Sequence, residues 1–444
     1  MIPSRTERLA GWGRHPVQAC RVYRPEKVAE LRAVLDARPD GGVISRGLGR
    51  AYGDAALNAD GGVVSHLRLD RILGFDEATG ELECEGGVVL GDLADIFLPR
   101  GWFVPVVPGT RHVTVGGAIA ADVHGKNHHR DGTLGRFVRE IRLMTPARGL
   151  LECSREHECE AFRATLGGMG LTGAIVSAKL RLMRVESSSV VVDYQPTRYL
   201  DDALARFGES DSHHRYSVAW IDALAKGRSL GRGVLMQGDH ARADAATART
   251  RCRMRPRVPF DLPGATLNRL SVGAFNGLYR ATHRARSGVV EPLETFFWPL
   301  DAVRDWNRVY GRRGFVQYQL VVPPERSDAL EAVLRRAAAS GRASFLAVLK
   351  RFGPAGEGIL SFPMAGWTLS LDFPVASGLA EMLREMDRTV ADAGGRVYLA
   401  KDAMLDADTF ARMYPAAEAF REVRRALDPD GVLTSSLARR VGLA

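Results

Sequence analysis

The segment Ser45-Arg46-Gly47-Leu48-Gly49-Arg50-Ala51-Tyr52-Gly53-Asp54 joins an apolar, strand-like run to a loop rich in glycine. Glycine takes positive φ without a Cβ penalty, so successive amides can turn inward as a nest for pyrophosphate oxygens, with Arg46 and Arg50 adding positive charge. An ordinary turn has the same composition, so this loop alone decides nothing.

A second glycine-rich element runs Val107-Pro108-Gly109-Thr110-Arg111-His112-Val113-Thr114-Val115-Gly116-Gly117-Ala118-Ile119-Ala120-Ala121-Asp122-Val123-His124-Gly125. Pro108-Gly109 marks a turn, Thr114 offers a hydroxyl, and Gly116-Gly117 among small residues lets backbone approach a bulky ligand. A third, Leu166-Gly167-Gly168-Met169-Gly170-Leu171-Thr172-Gly173-Ala174-Ile175, follows. Several such loops suit one long ligand. Their spacing is not that of a Rossmann fingerprint, which places its glycines in one βα turn.

Up to about residue 185, short apolar runs alternate with helical stretches such as Lys27 to Leu35 before Gly41-Gly42-Val43-Ile44, an α+β pattern. A polar patch at Val185 to Ser189 precedes a new strand candidate, Val190 to Tyr194, and Ala241 to Ala248 reads as helical. The N-terminus shows no apolar signal segment and no run approaches a membrane span, so a protein in solution or at a membrane surface, in the cytoplasm, is expected. Cys20, Cys84, Cys153, Cys159 and Cys252 lack paired metal spacing and fit a reducing compartment.

The formal charge of +9 over 444 residues calls for an anionic partner. No recognition helix, zinc finger or aromatic ribonucleoprotein motif accompanies it, which disfavours nucleic acid. Arg249, Arg251, Arg253, Arg255 and Arg257 occupy alternate positions and would share one face of an extended segment. That stripe is either a solvated edge or, with Pro256, Pro259, Phe260, Leu262, Pro263 and Leu267, a place to meet lipid phosphates.

The motifs SRGLGRAYGD, PGTRHVTVGGAIAADVHGKNHH and GGMGLTGAI resemble the FAD-binding domain of the vanillyl-alcohol-oxidase type, the PCMH-type fold. Residues 219–233, 296–320, 345–353, 360–374 and 394–404 are similar, in order, to the decaprenylphosphoryl-β-D-ribose 2′-oxidase family. The resemblance implies an α+β protein: a two-subdomain FAD-binding domain over 1–186, an inserted α+β substrate domain on an antiparallel sheet over 187–395, and a segment 396–444 returning to the first.

It implies flavin contacts from Arg46, Gly47, Leu48, Gly49, Arg50, Ala51, Tyr52, Gly53, Pro108, Gly109, Thr110, Thr114, Gly116, Gly117, Ala120, Ala121, Val123, His124, Gly125, Gly170, Gly173, Ile175, Tyr398 and Lys401. Tyr52 stands where many of these flavoproteins carry the histidine linked to the flavin, so noncovalent FAD is implied. Lys401, His124 and Tyr52 are the catalytic candidates: Lys401 for charge stabilisation, and His124 or Lys401 for the hydroxyl proton. Lys126, Trp220, Gln317, Tyr318, Gln319, Lys350, Phe352 and Ser370 are implied on the substrate wall. His128 and His129 adjoin without a metal-binding helical spacing and are read as packing or solvent groups, so no metal is expected.

The implied activity is oxidation of a secondary sugar hydroxyl, the 2′-OH of a polyprenylphosphoryl ribose, to a ketone. A partner short-chain reductase would complete epimerisation to arabinose for cell-wall arabinan, and a quinone or dioxygen would reoxidise the flavin. Thr368, Ser370 and Met169 depart from mycobacterial relatives. Another FAD-dependent alditol or aldonolactone oxidase, or an idle flavin- or lipid-binding homologue, therefore stays open.

Overall fold

A computed structural model of the chain describes residues 3–243, 255–264, 266–342 and 346–444. Most of the arginine stripe and of the alanine-rich run lies outside these residues. A four-stranded sheet places Ser4–Ala10 antiparallel beside Val17–Tyr23, then Gly62–Ser65 and Val43–Arg46 in parallel. A five-stranded antiparallel sheet follows the order Ile72–Asp76, Glu81–Glu85, Ala174–Arg181, Val138–Thr145, Gly149–Ser154. The helix Val28–Asp36 and strand Val43–Arg46 form where apolar periodicity changes from helical to extended.

Residues 189–397 build an eight-stranded antiparallel sheet ordered Arg286–Pro292, Ser189–Thr197, Gly233–His240, Tyr216–Ile221, Ala347–Phe352, Gly366–Pro374, Phe315–Val322, Arg396–Val397. The whole is α+β. Side chains alternate across a strand, and this sheet uses both faces differently. Leu320, Leu349, Leu369 and Leu371 are buried in one apolar cluster with Leu330, Val333 and Leu334 of the helix Ser327–Ser340. Met382, Leu383, Met386 and Val390 of the helix Leu379–Asp392 join them at helical spacing. Each such side chain taken from water contributes about 1.5–3 kcal/mol.

The opposite face carries polar residues in register: Gln319 pairs with Ser370, Gln317 with Asp372, and Lys350 with Thr368. Buried polar groups on one face of an otherwise apolar sheet need partners, and here Gln317, Gln319, Lys350 and Ser370 face a cavity.

The C-terminal segment ties back to the first sheet. Val43 N–H donates to Val432 O at 2.7 Å and Thr434 N–H to Val43 O at 2.9 Å. Arg440 joins Asp54 at 2.7 Å and Asp402 at 2.8 Å. This bridge fixes the turn bearing Lys401 against the loop bearing Tyr52, and Tyr52 N–H donates to Ala400 O at 2.9 Å.

Candidate active site

The glycine-rich loops converge on an elongated cavity with about 470 Å³ of water-accessible space. Arg46, Gly47, Leu48, Gly49, Arg50, Ala51 and Tyr52 line it from the first loop, and Pro108, Gly109, Thr110, Thr114, Gly116, Gly117, Ala120, Ala121, Val123, His124 and Gly125 from the second. Gly170, Gly173 and Ile175 come from the third, and Tyr398 and Lys401 from the C-terminal segment. The large sheet adds Trp220, Gln317, Gln319, Lys350 and Ser370, and Lys126 follows the second loop.

The loops touch one another. A Cβ on Gly47 would lie 2.1 Å from Thr114 Oγ1, and one on Gly116 would lie 3.0 Å from Gly86 O. Gly49 holds φ +66°, and a Cβ there would strike the Arg46 guanidinium at 2.1 Å. Gly109 instead has nothing within 4 Å and opens to the cavity. Thr114 caps the short helix Val115–Ala120 by accepting from Gly117 N–H at 3.2 Å. Arg46 spends donors on Ala10 O at 2.7 Å and Ala56 O at 3.1 Å, so it braces the loop. Arg50 stacks 4.0 Å over Trp12, and its Nε is buried without a protein partner. Close backbone, an opened glycine and an unmet buried donor fit a long anionic cofactor such as FAD.

Three residues expected in the site sit elsewhere. Gly53 packs on the 401–403 turn, where a Cβ would meet Asp402 O at 2.0 Å. Tyr318 alternates away from Gln317 and Gln319 into the apolar cluster and faces Asp387. Phe352 lies behind the cavity wall, its ring 4.8 Å from His124 and 4.4 Å from His128. His128 Nδ1 accepts from Gly353 N–H at 3.2 Å, and among the described residues no cluster of metal ligands forms.

His124 is buried and accepts a hydrogen bond from Gln319 Nε2 at its own Nε2, 2.9 Å away. Its proton therefore resides on Nδ1, which is buried with no protein partner. Burial and the cations Lys350 and Lys401 hold it neutral, with its pKa well below the ordinary histidine range. Tyr398 packs 5.2 Å from His124 and donates its hydroxyl to Ala121 O at 2.8 Å. Lys401 Nζ lies 3.8 Å over the Tyr52 ring.

The lysines are costly where they are. Burial lowers Lys401 to about 7, opposed by the nearby Asp372 carboxylate. It lowers Lys126 to about 7 and Lys350 to about 8. Lys126 Nζ donates to Phe296 O and lies 4.5 Å from the Phe296 ring. Burial raises Asp372 to about 7 although Gln317 donates to it at 2.6 Å. Asp372, Trp12, Trp306, Tyr279, His283 and Glu291 were not among the site residues expected from the sequence, and all but Asp372 line the cavity. For Asp372 the signal was present: Thr368, Ser370 and Asp372 share one strand face by alternation.

Residues 20–154 match the FAD binding domain family, and residues 368–441 match the D-arabinono-1,4-lactone oxidase family. Decaprenylphosphoryl-beta-D-ribose oxidase of Mycolicibacterium smegmatis is 39% identical over 458 aligned positions, covering 100% of this chain and 99% of the relative. The chain belongs to the decaprenylphosphoryl-beta-D-ribose oxidase family. An uncharacterized Streptomyces coelicolor protein is 40% identical over 80% of this chain and 100% of its own length. L-gulono-1,4-lactone dehydrogenase of Mycobacterium tuberculosis is 23% identical over 95% of both chains, a more distant relation. As a member of the decaprenylphosphoryl-beta-D-ribose oxidase family, the protein is an FAD-dependent oxidoreductase acting on CH–OH groups. Among the described residues no helix is long and apolar enough to cross a membrane.

Proposed function

We propose that this chain oxidises the 2′-hydroxyl of a polyprenylphosphoryl-β-D-ribose to the 2′-ketone, working beside a short-chain reductase and at a membrane surface. The observation that carries the substrate class is the pair Lys126 and Lys350, both buried in the cavity wall and lowered by desolvation. A substrate phosphate would stabilise the ammonium form of both, turning a desolvation cost into a binding interaction. Trp220, Tyr279, Phe296 and Phe297 supply ring surface in the same cavity for an apolar chain.

In this reading residues 1–186 and 396–444 hold FAD noncovalently through the three loops, with Arg50 and the loop amides toward its phosphates. Residues 187–395 cover the substrate side. Bound FAD supplies the two-electron acceptor for the carbinol hydride. Neutral Lys401 takes the hydroxyl proton at Nζ, and the resulting ammonium then offsets negative charge that builds beside it. His124, protonated at Nδ1, donates a hydrogen bond there rather than accepting the proton. Gln317 and Gln319 hold Asp372 and His124 in place and keep amide surface toward the sugar hydroxyls.

A substrate panel tests the assignment. Polyprenylphosphoryl ribose should be oxidised, while free ribose and aldonolactones should turn over at least about a hundredfold more slowly in kcat/KM, since they lack the phosphate and chain contacts. Preference for an aldonolactone would assign the chain to lactone oxidation instead.

A further inference from the structure

The helix Arg269–Thr282 has two unlike faces. Val272 and Asn276 are buried on the inner one, and Asn276 donates to Asp222 at 2.6 Å. Tyr279 and His283 continue that face into the cavity, stacked on each other at 3.9 Å, with Tyr279 4.6 Å from Trp220. The outer face presents Leu270 at 85% exposure, Leu278 at 66% and Phe275 at 42%. Ala274 and Ala281 are exposed beside them, so apolar residues recur at i, i+4, i+8 and i+11 along one stripe.

Along the chain, the charges flanking this stripe have one sign. No acidic residue occurs between Asp261 and Glu291, whereas Arg269, Arg280, Arg284 and Arg286 fall within that span. Arg284 and Arg286 donate to the carbonyls of Ala281 and Thr282, and among the described residues no carboxylate pairs with any of the four. The alternating stripe singled out from sequence behaves otherwise where it is described: Arg255 pairs with Glu294 at 2.9 Å and Arg257 with Asp305.

We propose that the outer face of this helix docks the protein on an anionic lipid bilayer, with Leu270, Phe275 and Leu278 entering the headgroup region and the arginines meeting lipid phosphates. An amphipathic helix with apolar residues on one face and only basic charges in its own stretch of chain has the composition of an interfacial helix. A second copy of the chain is a poorer occupant. At 14 residues the helix is about 21 Å long, so its outer stripe offers on the order of 200 Å², against about 800 Å² per partner in a standard interface. The proposal deepens the functional reading and rests on its polyprenyl substrate: docking through this helix places the Tyr279 and His283 side of the cavity beside the bilayer that holds the chain.

The test uses the FAD-loaded full chain and cosedimentation with phosphatidylcholine vesicles, with and without phosphatidylglycerol. Wild type should bind the phosphatidylglycerol vesicles, and salt should weaken that binding. Leu270→Glu/Leu278→Glu should bind at least about tenfold more weakly, and Arg280→Gln/Arg284→Gln should lose the preference for anionic vesicles. Turnover of a short-chain phosphoribose analogue should stay within about twofold in both variants, because none of these residues lines the cavity. Equal vesicle binding by wild type and the leucine variant, or no wild-type binding, would overturn the proposal. So would a wild-type dimer in solution that becomes monomeric in the leucine variant, since the face would then belong to a second copy. Vesicle binding is read without substrate, so a failure to oxidise polyprenylphosphoryl ribose would remove the functional reading while docking still stands or falls by the vesicle comparison.

Discussion

Gln319 donates its side-chain amide to Nε2 of His124 across 2.9 Å, and the same nitrogen reaches Thr368 Oγ1 at 3.2 Å. This bond fixes the imidazole tautomer from a strand far away in sequence. Replacing Gln319 with Leu leaves a buried ring nitrogen unmet, a penalty of about 1–3 kcal/mol. Substrate-driven flavin reduction should fall about tenfold in single-turnover measurements, with FAD still bound. Gln319→Glu should raise the His124 pKa, because a carboxylate would accept a proton from Nε2.

Lys401→Met should keep the yellow cofactor and lose between about a hundredfold and ten-thousandfold in flavin reduction, the usual span for removing a positioned proton acceptor. In wild type the neutral amine is the acceptor. With Lys401 lowered to about 7, the reduction rate should rise as pH rises through that value, and this limb should vanish in the variant.

Lys350 gives a stability signature. Its folded pKa of about 8 lies below the ordinary 10.5, so between these values the unfolded chain holds a proton that the folded chain lacks. Stability therefore increases with pH across that window and bears the full penalty below it. Lys350→Met should stabilise the substrate-free holoenzyme near pH 7 by up to about 3 kcal/mol, the equivalent of the shift. It should also reduce the rise in Tm between about pH 8 and pH 10, a window set by the same linkage. Lys126 and Lys401 act with the same sign, so part of the rise should remain.

Tyr52 is buried under Lys401 and packs edge-on against Phe315 at 5.5 Å. A phenol here provides no imidazole for attachment to a flavin. Acid precipitation should release intact FAD into the supernatant, as absorbance and mass would show; flavin retained in the pellet would identify a covalent bond.

Much of this was legible in the chain because glycine patterns are local. Gly47, Gly49 and Gly116 mark close approaches that side chains cannot fill, and the loops they form meet at one cavity. The strand Ser189–Thr197 was legible as an apolar run, whereas the antiparallel arrangement of the second sheet was legible only through the family resemblance. Tyr318 differs from the expectation by strand alternation: its neighbours Gln317 and Gln319 face the cavity, so period two sends it to the core. Phe352 shows the limit of motif reading, since a ring can support His124 from behind without lining the cavity. Trp12 and Tyr279 were illegible because only tertiary packing brings them to the site. The outer face of the helix Arg269–Thr282 was not legible because Gly273 and Gly277 interrupt its apolar spacing, and only the fold shows which side is exposed.

The central claim is that Lys401 and its surroundings serve oxidation of a lipid-linked ribose. Anaerobic stopped-flow mixing of the holoenzyme with polyprenylphosphoryl-β-D-ribose tests it most directly. The account predicts rapid bleaching of the oxidised flavin band with stoichiometric 2′-keto sugar, slowed by acidification through about pH 7 and nearly abolished in Lys401→Met. A flavin that stays oxidised with this substrate yet bleaches with an aldonolactone would contradict it.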